Sequence, residues 1–181
     1  MAGTHIRRQS QVVGVDELAR LEALLANPSD LQARLGEYLQ SSTEGRFKTQ
    51  TGPDGMAWQA LQPRYARSKK KNKDKILTLD GHLRRIHWQP DGDDVLAGSN
   101  RIYAAIQQLG GTINKPARQS SVHFGEGKTA RLFVKKKKAK RSMDVTIPAH
   151  EVVMPARPFL GISDTDEREI HAITLDWLLG R

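Results

Sequence analysis

His123 to Arg141 reads HFGEGKTARLFVKKKKAKR, and the fold turns on whether this stretch is a phosphate loop or a hairpin. A phosphate loop needs Gly-x-x-x-x-Gly-Lys-Thr between a strand and a helix, so that backbone amides and the helix N-terminus converge on the anion. Gly127-Lys128-Thr129 supplies the end of that pattern, but the first glycine position is Val122 and the residues that follow, Ala130 to Val134, are β-prone. The stretch therefore predicts a glycine turn and an exposed basic tip. Ser121–Phe124, Ala130–Val134 and Met143–Pro148 are then three β-prone runs, joined by a Gly turn and a Lys-rich turn as an antiparallel meander.

Working outward, the flanks are helical. Val15, Leu18, Leu21, Leu24 and Leu25 recur at helical spacing until Asn27-Pro28 interrupts them. Ser29 or Asp30 can cap a second helix whose stripe of Leu31, Leu35, Tyr38, Leu39 and Phe47 runs to about Lys48. Near the other end, Ser163 with Asp166 three residues on reads as a capping box for a final helix carrying Ile170, Ile173 and Trp177 on one face. Between these flanks, 5–13 reads as a first strand, 77–85 as a short helix, 86–89 and 95–98 as a hairpin about Pro90-Asp91-Gly92-Asp93, and 101–109 as a helix stopped by Gly110-Gly111. The expected fold is α+β: N-terminal helices and a C-terminal helix packed on a small antiparallel sheet, with long basic loops at 49–75 and 135–141, in one domain spanning 1–181.

A chain of 181 residues is long enough for one domain with a real core. Its apolar fraction of 38% and mean hydropathy of −0.58 are polar without reaching the composition of a disordered chain. There is no cysteine, so the fold rests on packing rather than on disulfides or thiolate metal sites. No apolar run approaches the ~20 residues that cross a bilayer, and MAGTHIRRQSQ lacks the apolar centre of a signal peptide, so a cytosolic protein with no membrane partner is expected.

The net charge of +9 is local. Lys69, Lys70, Lys71, Lys73 and Lys75 crowd one loop beside Asp74, and Lys135, Lys136, Lys137, Lys138, Lys140 and Arg141 crowd the other; without them the 29 basic and 20 acidic residues fall to 18 and 19. Like charges at that density repel one another and favour exposed loops, able to meet phosphates or an acidic protein surface. Neither run interleaves the aromatic residues that stack single-stranded bases, although Phe133 flanks the second.

Enzymatic chemistry is poorly supported. The six histidines show no His-Glu-x-x-His spacing, and Gly-x-Ser-x-Gly is absent. Asp91, Asp93 and Asp94 follow a proline, where a turn explains them. No catalytic residue, metal site or cofactor is expected.

Four segments, RFKTQTGPDGMAWQAL (46–61), ILTLDGHLRRI (76–86), VLAGSNRIYAAIQQLGG (95–111) and IPAHEVVMPARPFLGIS (147–163), occur in the order seen in the phage virion morphogenesis or tail-completion family. The chain resembles that family nearly end to end. The resemblance implies a structural protein of the neck or head-proximal tail end, present in the virion and in the host cytoplasm during assembly. It further implies a homohexameric ring that meets the tail tube and the connector or stopper proteins.

Within that setting, Gly52-Pro53-Asp54-Gly55 favours a turn presenting Trp58, which suits either the core or a partner. Pro155 and Pro158 stiffen a segment in which Arg157, Phe159 and Leu160 either seat the last helix or bind a neighbour. Trp58, Arg157, Pro158, Phe159 and Leu160 are therefore the interface candidates. The lysine loops are assigned to protein contacts, with DNA phosphates as the alternative.

Overall fold

The computed structural model describes residues 14–127 and 132–181. The strand expected at 5–13, and the start of the one expected at 130–134, lie outside them. The described residues form two compact units, one from 14–104 with Pro158–Arg181 and one from Ala105–Arg157.

The first unit is α+β, as its apolar periodicity predicts. Helices α1 (Val15–Ala26) and α2 (Ser29–Thr49) occupy the expected spans. Ser29 lies inside the first turn of α2, with Pro28 preceding it and no side-chain cap, and Asp30 instead pairs with Arg34 at 3.0 Å. Helix α3 (Pro63–Ser68) sits within the expected loop, with proline at its start where the missing N–H costs nothing. Strands β1 (His87–Asp91) and β2 (Asp94–Gly98) form the expected hairpin, paired from His87↔Gly98 to Asp91↔Asp94. Helix α2 carries this hairpin. Buried Gln32 donates to the Gly92 carbonyl at 2.8 Å, and Gly36 leaves room where a Cβ would collide with the Trp88 indole. Helix α5 (Asp164–Leu179) packs on α2 and closes with Gly180 in the left-handed region.

The span 77–85 is not a helix. Leu77 and Gly81 take positive φ, and the segment proceeds by bends and a turn. Its apolar spacing is nevertheless real, because Leu83 and Ile86 are buried with Phe47, Trp58 and Phe159 in the core. Apolar residues three apart anchor an irregular segment as readily as a helix.

The second unit begins in α4 (Ala104–Leu109), which ends where Gly110 and Gly111 both take positive φ. Strands β3 (Gly111–Lys115), β4 (Arg118–Phe124), β5 (Arg141–Ile147) and β6 (His150–Met154) follow. The expected meander is corrected: β3 pairs with β6 and β4 with β5, all antiparallel. In the described part of the second expected run, 132–134, there is only a single bridge, Phe124↔Phe133. Pairing keeps one register from Gly111↔Met154 through Arg118↔Ile147 to Phe124↔Arg141. The two ladders are thus one two-stranded ribbon, interrupted at 116–117 and 148–149, where Pro116 and Pro148 cannot donate to a ladder. Its strands of residues 111–124 and 141–154 span about 45 Å at the antiparallel rise per residue.

Candidate assembly interface

The residues singled out around Trp58 and Phe159 form a buried latch in the first unit. Gly52, Asp54 and Gly55 make the expected tight reversal, with Gly55 N–H donating to Gly52 O at 3.0 Å and Met56 N–H to the Asp54 carboxylate at 3.0 Å. The turn lays Trp58 edge-on against Phe47 at 5.4 Å, while Phe159 meets Phe47 at 5.5 Å from the other side. The Trp58 indole N–H donates to the Pro158 carbonyl at 2.6 Å, and Leu160 packs against the same cluster. Trp58 and Phe159 are therefore core residues, and they tie the 51–58 reversal to the segment that leads into α5. Arg157, in the second unit, is also buried; burial pulls its guanidinium pKa down, and its backbone N–H donates to Gln107 O at 2.8 Å.

Beneath the latch lies a buried ion pair that sequence reasoning missed. Arg46, on α2, donates to the Phe159 and Gly161 carbonyls at 3.0 and 2.8 Å and pairs with the Asp166 carboxylate. Asp166 also accepts from Tyr38 at 2.9 Å, Ser42 at 2.5 Å, and both the backbone and hydroxyl of Ser163 at 2.8 and 2.6 Å. Burial works to raise the Asp166 pKa, yet the hydrogen bonds from Ser163, Ser42 and Tyr38 prevail and hold it far below the usual carboxylate range. The Tyr38 hydroxyl is pushed up to about 12, by burial first and then by the Asp166 carboxylate it donates to. The expected capping box is present, with Asp166 N–H donating to Ser163 Oγ at 3.2 Å, but the same Asp166 also neutralises Arg46. Spacing reveals the cap; nothing local pairs position 46 with position 166.

The two lysine loops differ. Lys69 is buried: its ammonium donates to the carbonyls of Asn72, at 2.6 Å, and Lys75, folding the loop around itself. Burial lowers the Lys69 pKa, and Asp74 partly opposes that shift. Lys70, Lys71, Lys73 and Lys75 stay exposed, with Lys71 pairing with Asp80 at 3.1 Å. In the second loop Lys135, Lys136, Lys137, Lys138, Lys140 and Arg141 are all exposed, carried past a single 3-10 turn at Lys136–Lys138. Backbone bonds from Val134 N to His123 O, at 2.8 Å, and Lys140 N to Phe124 O, at 3.0 Å, seat this loop on the end of the ribbon.

That ribbon has two unlike faces, because side chains alternate along each strand. On one face of β4 and β5, Ser121 donates to Asp144 at 2.6 Å, Thr146 donates to Gln119 at 3.0 Å, and His123 lies 2.8 Å from the Ser142 hydroxyl. The opposite face presents Val122, Phe124, Met143, Val145 and Ile147, with Ser120 among them and Arg118 and Arg141 at its two ends. None of the five apolar residues is fully buried, Met143 is 46% exposed, and Phe133, against Phe124 at 5.4 Å, is 77% exposed. The alternation is visible in the sequence. Which strands pair is not.

Among the described residues, no group of three or more histidines, aspartates or glutamates is placed to hold a metal ion, and no helix is long and apolar enough to cross a membrane.

The family model of the Phage virion morphogenesis family matches residues 13–179. A protein of Escherichia phage Mu described as "Putative capsid assembly protein G" is 31% identical over 163 residues, which cover 87% of this chain and 81% of that protein. No solved structure matches.

Proposed function

Because the chain belongs to the phage virion morphogenesis family, we propose that it is a structural protein of the neck or head-proximal tail end. In this reading it completes or terminates the tail and supports head–tail joining as one subunit of a homohexameric ring. Its partners are copies of itself, the tail tube and the head–tail connector or stopper proteins, and it catalyses nothing. The single observation that carries the reading beyond the family is the ribbon of the second unit. A lone two-stranded ribbon is at best marginally stable in water, and this one is about 45 Å long with an apolar face of which no residue is fully buried. Such an arm is built to be completed by neighbours, and repeated head-to-tail contacts between identical subunits close into rings.

Cryo-electron microscopy of purified virions, with symmetry relaxed at the neck, tests this. A closed ring of this chain between tail tube and connector is the expected result. Absence from mature particles would overturn it in favour of an assembly factor. The same density decides the second reading, in which the arm tip contacts DNA: exposed Phe133 beside Lys135 sets an aromatic ring next to cations, the pairing that stacks bases and neutralises phosphates.

A further inference from the structure

We infer that the arm of one copy docks on helix α1 of the next, making α1 the receiving half of the contact that closes the ring; the inference rests on the ring reading above. Helix α1 is as incomplete as the arm. None of its described side chains is buried, and Leu18 and Leu25, two turns apart on one face, are 68% and 66% exposed. A helix of 12 residues is marginal alone and draws its stability from a covered apolar face.

Its charge complements that of the arm. Glu17 and Glu22 flank the face of the leucines, and the single cation of the helix, Arg20, is engaged on the far side: it pairs with Glu17 at 3.7 Å and lies against Gly180 at the C-terminal end of α5. The arm offers the reciprocal surface, an apolar face of Val122, Phe124, Met143, Val145 and Ile147 leading to a tip of six cations. Apolar centres rimmed by opposite charges are what selects a partner and fixes its register. A chain that carries a surface and its complement in different places makes a heterologous contact, the kind that propagates around a ring.

The test exploits the absence of native cysteine. Full-length chains carrying Leu18→Cys and Met143→Cys are mixed, each with a tag of different size, and treated with a short thiol cross-linker. Mixed dimers are expected, with none from Leu18→Cys alone, and a chain carrying both substitutions should ladder to a closed oligomer. A bridge formed only within one chain, or slow labelling of Leu18→Cys in the monomer because its own chain covers the helix, would overturn the docking. In parallel, Glu17→Lys with Glu22→Lys should weaken assembly about tenfold, as loss of two rim contacts worth roughly 0.7 kcal/mol each implies. Lys136→Glu with Lys137→Glu should restore it, and failure of restoration with both variants folded also counts against the docking. A ring seen in virions without the cross-link sinks this contact and leaves the ring; the cross-link without a ring in virions does the reverse.

Discussion

The latch around Arg46 and the arm around Val145 invert one another. In the latch, charged and polar groups are buried and every one of them finds a partner: Arg46 reaches two carbonyls and a carboxylate, and Asp166 accepts from Tyr38, Ser42 and Ser163 as well. In the arm, the polar face pairs with itself in open solvent while the apolar face has no full cover. The difference teaches where each unit's stability comes from. The latch completes its own interior, whereas the ribbon leaves an apolar face without full cover, and large exposed apolar patches are one mark of an interaction site.

The strongest way to break this contrast is to unpair the latch. Arg46→Met leaves the Asp166 carboxylate buried without its cation and strips donors from the Phe159 and Gly161 carbonyls. Removing one partner of a buried pair costs about 3–5 kcal/mol. Urea unfolding of the purified chain should show that loss. A loss under ~1 kcal/mol, the scale of a surface pair, would mean the latch is no more buried in its energetics than the arm.

How far this contrast can be read from the sequence depends on range. Helices α1, α2 and α5, the β1–β2 hairpin and the Ser163–Asp166 box are legible because each is written within a few residues. The core role of Trp58 and Phe159 is half legible: their types mark them as anchors, but partner and core use the same residues. What fails is long-range pairing. Lys115 opposes His150 and Arg46 opposes Asp166, separations that no local pattern encodes. Within the lysine loops, composition predicts exposure for every member, and Lys69 departs because backbone carbonyls of its own loop capture the ammonium.

A gentler probe of the latch is pH. Asp166 has a folded pKa below its unfolded value of about 4, so its contribution is present above that pH and is lost as pH falls toward the folded value. Tyr38 has the opposite sign. Its folded pKa is raised to about 12, so its contribution is complete below the unfolded value near 10 and fades as pH rises through the folded one. The urea midpoint of the wild type should therefore decline on both flanks of a plateau. Tyr38→Phe should flatten the alkaline decline and leave the acid one, and an unchanged alkaline limb would remove Tyr38 from the network.

The smallest effect on the isolated subunit should come from the arm. Val145→Thr keeps the side-chain shape and suits a strand, so its cost reports only whether the added hydroxyl can reach water. On a face open to solvent the hydroxyl stays hydrated and the unfolding free energy should shift by less than about 0.5 kcal/mol. Were that face covered within the same subunit, the hydroxyl would be buried without a partner and the cost would rise to about 1–3 kcal/mol. If the face is open in the monomer, the same substitution becomes harmful once a neighbour closes over Val145, because the penalty then falls on the contact. Near-normal urea unfolding together with a reduced yield of assembled particles would place the covering surface on another molecule. A large loss in the monomer with normal assembly would move Val145 to the latch side of the comparison.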